Sequence, residues 1–307
     1  MNKIDALFIG GSSVDIILRV PRLPSSDEKM LAELIEKQPG GFVSNTACAA
    51  ARLGLHSAWI GTVGNDEFGR ILLAGFKAYG VDTSLANVHA QSATDFTVIL
   101  LEPSGERTIL VVPTSDGPPH LKGEAHAILH DVKLVYLPPY KPEWFLPLAD
   151  VVHAGGGLIA IDVEASSPVK GSELDAVLRN TDVVFCNPRG LALMTGSDDT
   201  ETGAARVLVF GPECVCITLG ERGASAFSPN NRAYAPGFEV PVVDTTGAGD
   251  CFHAAFLCEY LSGKPLAEVL QFANAAAALS IQKIGPRAGL PTRLQVESFI
   301  RSRGSEI

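Results

Sequence analysis

Long hydrophobic runs are missing from this 307-residue sequence. No apolar stretch approaches the roughly 20 residues that a membrane-spanning helix needs. The start, MNKIDALFIGG, carries Asp5 inside a very short apolar run, so it predicts a buried first strand and not a signal peptide. Neither membrane insertion nor secretion is therefore expected.

Positive charge is also scarce. The sequence has 24 Lys and Arg against 34 Asp and Glu, and its formal net charge is -10 at pH 7. No Lys/Arg cluster supplies the basic field that captures a polyanion, so nucleic acid is not an expected partner. An acidic protein can still bind a nucleotide, because backbone amides and a metal ion supply positive potential locally.

The six cysteines form no framework. Cys214 and Cys216 are spaced as CxC and not as the CxxC of a zinc site. The cysteine spacing does not suggest a disulfide scaffold either. We predict small core residues in a protein of the reducing cytoplasm.

The sequence does contain short β-rich runs that alternate with longer helix-like segments. This alternation predicts an α/β fold with a mostly parallel sheet flanked by helices. The predicted strands are Ala6–Ile9, Ala58–Ile60, Leu134–Leu137, Leu158–Ile161, Val183–Phe185 and Val215–Thr218.

Two helices can be bounded from their end signals. The first is predicted at Ser44–Leu53, with Ser44 as the N-cap and Gly54 as the stop. The second is predicted at Glu67–Tyr79 and stops at Gly80 in the same way.

Two stretches, at about 12–38 and 94–113, depart from this alternation. Their strand-like patches are not followed by long helices, and the second contains a hairpin signal, Pro103-Ser104-Gly105-Glu106. We predict that they form a small β-sheet inserted into a single domain of residues 1–307, because no repeat, low-complexity tract or linker divides the chain.

A glycine loop, Asp244-Thr245-Thr246-Gly247-Ala248-Gly249-Asp250, directly precedes the helix-length run Cys251–Leu261. Glycines before a helix let several backbone N–H groups point at one anion, and the helix N-terminus adds positive potential. An aspartate at that position can deprotonate a hydroxyl while the amides stabilise a phosphoryl group in transfer.

A simpler interpretation of Asp250 is a helix cap, which is the usual role of aspartate at a helix start. The glycine pair favours the anion site, because a cap does not need glycine on both sides of Ala248. The chain lacks GxxxxGK[ST] and GxGxxG, so a phosphate bound here is held in another way. His253, one helical turn further on, is predicted to pack along its helix.

Six ordered motifs carry a resemblance to a known family. They are Pro39 to Asn45 (PGGFVSN), Gly61 to Gly69 (GTVGNDEFG), Asn187 with Leu193 to Gly196 (LMTG), Thr218 to Gly223 (TLGERG), Asp244 to Asp250 (DTTGAGD) and Asn274 in an Ala-rich helix. On these residues the chain is identified as a member of the ribokinase, or PfkB, family of carbohydrate and nucleoside kinases. The match covers nearly the whole length.

The resemblance implies a Rossmann-like, ribokinase-like α/β fold in which the small sheet is a lid, with ATP as co-substrate and Mg²⁺. Asp250 would be the catalytic base. The amides of Gly247, Ala248 and Gly249 would form the anion hole for the γ-phosphate. The residues implied at the nucleotide are Asn187, near the phosphates and magnesium, and Thr218, Gly220, Gly223 and Asn274.

The resemblance also implies acceptor contacts at Asp15, Gly41 and Asn45. A carboxylate and an amide can each engage vicinal hydroxyls, and a glycine lets the acceptor lie close to the backbone. Taken singly, these residues are better explained by a turn, a tight loop and a helix cap, and it is their match to the family pattern that favours acceptor contacts. Arg107, in the hairpin, is a further acceptor contact or a solvated surface charge.

The sequence departs from the family pattern at three places. Gly190 stands where relatives commonly have a glutamate that helps to hold magnesium through water. Gly289 stands where relatives activated by a monovalent cation often have a serine, so a K⁺ site near Asp244 and Thr246 stays open. Pro138-Pro139 follows the Leu134–Leu137 strand where a ribokinase-type carboxylate is expected. The absence of that carboxylate weakens the prediction of strict selectivity for ribose.

Together these features predict an ATP-dependent kinase that phosphorylates a hydroxyl of a sugar or sugar-like molecule and pairs as a homodimer through the lid. A nucleoside or sugar-acid kinase, or a kinase of an anionic ketose bound through Arg107 or Arg287, differs only in the acceptor. Gly190 mildly favours a catalytically silent nucleotide-binding relative. An NAD-dependent oxidoreductase is disfavoured because no GxGxxG follows the first strand.

Overall fold

The computed structural model describes residues 3–104, 106–114 and 117–304, so Gly105 of the predicted hairpin lies outside the described residues. The strands are β1 (Ala6–Ile9), β2 (Ser13–Arg19), β3 (Glu33–Gly40), β4 (Ser57–Ile60), β5 (Thr62–Gly64), β6 (Asn87–His89), β7 (Phe96–Leu101), β8 (Arg107–Val112), β9 (Leu134–Leu137), β10 (Leu158–Val163), β11 (Val183–Cys186), β12 (Cys214–Thr218), β13 (Ala224–Ser228) and β14 (Asn231–Ala235). The helices are α1 (Phe42–Arg52), α2 (Glu67–Ala78), α3 (Gly123–Asp131), α4 (Pro142–Ala154), α5 (Gly171–Leu178), α6 (Pro188–Thr195), α7 (Thr200–Leu208), α8 (Ala248–Tyr260), α9 (Leu266–Ser280) and α10 (Arg293–Gly304). Over the described ranges, none of the helices has the length and apolar character needed to cross a membrane.

An eight-stranded sheet forms the body of the protein, in the order β14-β13-β12-β11-β10-β9-β1-β4. The strands from β12 to β4 run parallel, whereas β13 and β14 add an antiparallel end. The six predicted strands all lie in this parallel part, which confirms the predicted fold class. Parallel strands bring their carboxyl ends to one edge of the sheet, where ligands of open α/β folds bind.

The central strands are apolar on both faces because helices cover the sheet on both sides. In β1, Ala6 and Phe8 belong to one core cluster and Leu7 and Ile9 to the other, and all four are fully buried. Helices α1, α8 and α9 contribute to the first cluster, and α3, α4 and α5 to the second. The six cysteines are buried free thiols in these layers, as predicted.

A second, smaller sheet has the order β3-β2-β7-β8 and comes from the two stretches that depart from the alternation. Strand β2 pairs antiparallel with β3 and parallel with β7, and β8 pairs with β7 alone among the described strands. Directly opposed residues lie on the same face of a sheet, so Asp15, Thr97 and Val111 share one face.

The start of α1 differs from the prediction. The N-cap is Gly41, at φ 94°, and Ser44 lies inside the first turn, where its hydroxyl donates to the carbonyls of Gly40 at 2.6 Å and Gly41 at 2.8 Å. The prediction of Ser44 as the N-cap is wrong, because the helix starts at a left-handed backbone position that favours glycine. The stops at Gly54 and Gly80 are confirmed, since both follow their helices with positive φ.

Candidate active site

The glycine loop turns directly into α8. Gly247 is the N-cap at φ 77°, and a Cβ at this position would lie 2.8 Å from the Pro286 side chain. No side chain caps the helix, and Asp250 lies inside its first turn. The interpretation of Asp250 as a cap is therefore wrong, because the glycine makes the turn and leaves the carboxylate free for other contacts.

The backbone around Gly249 is open. A Cβ at Gly249 would meet no atom within 4 Å, whereas the Ala248 N–H donates to the Thr245 carbonyl at 3.2 Å. A ligand can therefore approach the start of α8 from the Gly249 side, where the helix N-terminus favours an anion. The anion hole of Gly247, Ala248 and Gly249 remains a prediction.

Asp250 lies half-buried beside α1. Burial raises the pKa of this carboxyl to about 7; a hydrogen bond from Asn45 and the charge of Arg287 lower it, while the charges of Glu164 and Asp15 raise it. The Asn45 Nδ2 donates to the Asp250 Oδ2 at 2.8 Å. A carboxyl poised near neutral pH is suited to accept a proton from a hydroxyl.

The structure brings the predicted acceptor residues to the same place. Asp15 is 7% exposed, and its Oδ1 accepts from the Thr97 hydroxyl at 2.6 Å. Burial raises the pKa of Asp15, against the hydrogen bond from Thr97. A Cβ at Gly40 would lie 2.2 Å from the Asp15 Oδ2, so this backbone passes directly against the carboxylate. Asn45 thus contacts Asp250, the charge of Asp15 acts on it, and Gly41 lies one helical turn before Asn45.

Two predicted nucleotide residues follow neighbouring parallel strands. Thr218 ends β12, and its hydroxyl donates to the Cys186 carbonyl of β11 at 3.4 Å. Asn187 comes directly after β11 and caps α6, because its Oδ1 accepts from the Gly190 N–H at 2.9 Å. Both residues therefore lie at the carboxyl edge of the sheet.

The other predicted nucleotide residues hold a neighbouring loop. Asn274, on α9, donates through Nδ2 to the carbonyls of Ala235 at 2.9 Å and Pro236 at 3.0 Å. Gly223 has φ 92°, and a Cβ at this position would lie 2.1 Å from the Ala235 carbonyl oxygen. Gly220 is also left-handed, at φ 64°. These contacts fix the backbone here, and contact with a nucleotide stays a prediction.

Arg107 reaches from β8 of the small sheet to the glycine loop. Its Nη1 donates to the Thr246 hydroxyl and lies 3.5 Å from the Asp244 Oδ1. Burial alone would raise the pKa of Asp244, but hydrogen bonds from Thr246 and Gly285 outweigh it and hold the pKa below its usual range. A guanidinium thus supplies positive charge beside the carboxylate expected at a monovalent-cation site. Potassium dependence stays a prediction.

Gly190 is glycine for a steric reason. A Cβ at this position would lie 2.0 Å from the Val163 carbonyl oxygen and 3.3 Å from the Cys186 Cβ. Because backbone yields less readily than a side chain, the close packing of α6 on β10 leaves no room for a Cβ unless the backbone shifts. The glutamate that relatives commonly have is therefore incompatible with this backbone.

Gly190→Ala is expected to destabilise the protein by about 1–3 kcal/mol, the usual cost of overpacking. Urea unfolding measures this loss. The matched control is Gly123→Ala in the first turn of α3, where an added Cβ would meet no atom within 4 Å. Gly190→Glu should not improve turnover or magnesium dependence, and a gain in either would show that the backbone yields.

Two acidic residues near Asp250 were missed from the sequence. Asp162 lies on β10, and Glu164 directly follows that strand. Burial raises the pKa of Asp162 well above its usual range, and the charges of Glu164 and Asp250 raise it further. The available signal was a pair of carboxylates at the end of a buried strand. His253 is buried near them against Phe185, and burial lowers its pKa to about 3.

Known proteins resemble this chain over nearly its whole length. The sequence profile of the pfkB family carbohydrate kinases matches residues 3–293. The ribokinase of Bacillus subtilis (strain 168) is 30% identical over 297 residues, which is 95% of this chain and 98% of that protein. The structure of Arabidopsis thaliana ribokinase complexed with ribose and ATP is similar at a TM-score of 0.87 and 25% identity, covering 97% of this chain and 99% of that one. An E. coli protein assigned as a ribokinase II, in complex with ATP and Mg²⁺, is similar at 0.81 and 25%, with the same coverage. The chain therefore belongs to the pfkB family of carbohydrate kinases.

Proposed function

We propose that this protein transfers the γ-phosphoryl group of ATP to a hydroxyl of a sugar, with Asp250 as the general base. The observation that carries the proposal is the Asp250 carboxyl, which lies in the first turn of α8 with a pKa of about 7. The base and the positive end of the helix dipole thus meet at one point. Both are needed when a hydroxyl loses its proton and attacks a phosphoryl group.

In this mechanism the acceptor lies between the small sheet and α8. Asp15 and the Gly41 backbone hold hydroxyls of the acceptor, and Asp250 takes the proton from the attacking hydroxyl. The amides of Gly247 and Gly249, joined by that of Ala248 when it turns from the Thr245 carbonyl to the ligand, stabilise the charge on the transferring group. The small sheet closes the cleft as a lid and excludes water, which would otherwise compete as the acceptor.

The acidic residues of the site fit Mg²⁺ bound with ATP. Among the described residues, no three His, Cys, Asp or Glu side chains converge as a metal cage. Mg²⁺ in kinases is held largely by phosphates and water, so one or two carboxylates suffice. Asp162 and Glu164 offer oxygen ligands, and a cation would counter the burial and the repulsion from Glu164 and Asp250 that together raise the pKa of Asp162. When bound, Mg²⁺ neutralises charge on the β- and γ-phosphate oxygens.

An ADP-release assay over D-ribose, D-fructose, nucleosides and sugar acids tests the proposed activity. We expect ATP-dependent turnover on at least one free sugar, because Asp15 and Asn45 offer groups that bind hydroxyls. Preference for a nucleoside or a sugar acid would change the proposed class of acceptor but not the proposed phosphoryl-transfer reaction. ATP binding by calorimetry without ADP formation on any acceptor would contradict the proposal and favour a silent relative.

We also propose that two copies pair through the small sheet. Its edge strand β8 exposes Ile109, Leu110 and Val111 at 50%, 52% and 70%, and β3 exposes Leu34 at 54%. Unprotected apolar edge strands favour association with another strand. A second copy of the same sheet is a self-complementary occupant for this apolar edge.

Val111→Asp is expected to convert the dimer into a monomer, because a charge would be buried in the interface without a partner. Light scattering at micromolar concentration measures the mass. The control is Val209→Asp, at a valine that is 81% exposed and remote from the small sheet. A monomeric mass for the unmodified protein would overturn the proposed pairing.

A further inference from the structure

Arg287 is a buried arginine directly behind the site. It is 5% exposed, and its Nε donates to the Asn45 Oδ1 at 2.8 Å while its Nη2 donates to the Ser44 hydroxyl at 2.8 Å. The guanidinium lies over the Phe76 ring at 5.5 Å. The arginine thus lies on the side of Asn45 that faces away from Asp250.

The hydrogen bonds around Asn45 can form in one orientation only. Arginine donates and never accepts, and an ionised carboxylate accepts and never donates. The Asn45 amide must therefore turn Oδ1 toward Arg287 and Nδ2 toward Asp250. Without the arginine, Asp250 alone would hold the amide, and a protonated Asp250 could bond to the amide oxygen and allow the amide to rotate.

Burying a guanidinium is costly unless its donors are engaged. The Arg287 Nη1 has no hydrogen-bond partner among the described residues, and the side-chain hydrogen bonds of Arg287 in that part of the chain go to Asn45, Gly40 and Ser44 and not to a carboxylate. The protein therefore keeps a charge here that is not explained by a salt bridge. Its engaged donors point to Asn45 and Ser44 on α1, beside the site.

The charge of Arg287 acts on both carboxylates of the cleft. It lowers the pKa of Asp250 and that of Asp15, each of which burial raises. The titratable groups that face Asp250 from other elements are Asp15, Tyr136, Asp162, Glu164 and Arg287. Arg287 is the positive member of this set.

We propose that Arg287 is a positioning residue for catalysis: it fixes the Asn45 amide, which in turn orients the Asp250 carboxylate, and its positive charge favours the ionised form of that carboxylate. The inference rests on the proposed role of Asp250 as the base. Arg287 acts through Asn45 and does not contact the acceptor.

Two substitutions separate orientation from charge. Arg287→Lys keeps the positive charge but loses the two guanidinium donors that hold Asn45 and Ser44, so kcat should fall about 10-fold or more. The acidic limb, which is the fall of kcat/KM at low pH as Asp250 becomes protonated, should stay at the same pH. Arg287→Gln also loses the charge, so the limb should move up by about one pH unit. The assay uses ATP, Mg²⁺ and the sugar with the highest turnover in the acceptor screen. In an Asn45→Ala background, the loss of kcat caused by Arg287→Lys should largely disappear, because residues that act as a unit are not additive.

Arg52→Gln is the matched control. Arg52 is exposed and donates to the Leu290 carbonyl at 3.4 Å, in the same loop as Arg287, without touching Asn45. It should leave kcat and the acidic limb unchanged. Equal losses of kcat for Arg52→Gln and Arg287→Lys would mean that Arg287 only stabilises its loop, and this result would overturn the inference.

Thermal unfolding supplies a measurement that does not depend on activity. The folded pKa of Asp250 lies above its unfolded value, so the ionised carboxylate destabilises the fold increasingly from about pH 4 to about pH 7 and fully above that. Asp250→Asn should therefore raise Tm at pH 8. The rise should be larger in the Arg287→Gln protein than in the unmodified one. If Arg287→Gln does not fold, the Arg287→Lys kinetics decide.

The outcomes separate the two proposals. Full turnover in Asp250→Asn would contradict the assignment of Asp250 as the base, and the kinetic part of the inference would fall with it. The Tm comparison would still test the electrostatic coupling between Arg287 and Asp250. An inactive Asp250→Asn protein, combined with an unmoved limb in Arg287→Gln and additive losses with Asn45→Ala, would overturn the role of Arg287 alone.

Discussion

Asp250→Asn is expected to lower kcat by about 10²–10⁴-fold, the usual contribution of a general base. Asparagine has nearly the same shape and can still bond to Asn45 through its own oxygen, but it cannot take a proton. ATP affinity should stay within about threefold, since the helix dipole and the backbone amides are unchanged. Initial rates of ADP release and calorimetric titration with ATP measure the two effects.

The control for Asp250→Asn is Asp199→Asn. Asp199 is a true N-cap, because its Oδ1 accepts from the Thr202 N–H of α7 at 2.8 Å. The same substitution there should leave turnover unchanged. Near-normal turnover in Asp250→Asn would contradict the assignment of the base, whatever the acceptor.

Gly40→Ala is expected to raise the KM for the acceptor by about 10–100-fold, the cost of losing hydrogen bonds to polar groups in the site. An added Cβ would lie 2.2 Å from the Asp15 Oδ2 and 2.6 Å from its Cγ, so Asp15 must leave its position. Asp15 cannot shift freely, because it is buried and bonded to Thr97. The proposed nucleotide residues lie on other elements of the fold, so calorimetry should show ATP affinity unchanged.

Asp15→Asn provides the comparison for Gly40→Ala. It changes the charge without displacing the side chain, so its effect on acceptor KM should be smaller than that of the added methyl group. Gly123→Ala, which adds a methyl group in open space, controls for a general effect of the substitution. An unchanged acceptor KM in Gly40→Ala would place the sugar elsewhere.

Much of the site could be predicted from the sequence because its parts are local. The glycine loop contains the proposed base and the helix start within seven residues, and the buried strands are recognisable from their apolar runs. The start of α1 was placed wrongly because serine is a common cap, and the sequence does not show that Gly41 adopts a positive φ. Asp162 and Glu164 were missed because their importance depends on where β10 ends relative to α8.

The sequence by itself determined the α/β class, the two stretches of the small sheet, the glycine loop and the residue types that phosphoryl transfer requires. Only the tertiary structure decided how they work together. Asn45 bonds to Asp250 across 205 positions and to Arg287 across 242, and no local pattern encodes such a pairing. The pKa of about 7 at Asp250 also depends on burial and on the charges of distant residues. The need for glycine at position 190 also depends on the tertiary structure, because the Val163 carbonyl that a Cβ would meet lies on β10 and Gly190 lies on α6.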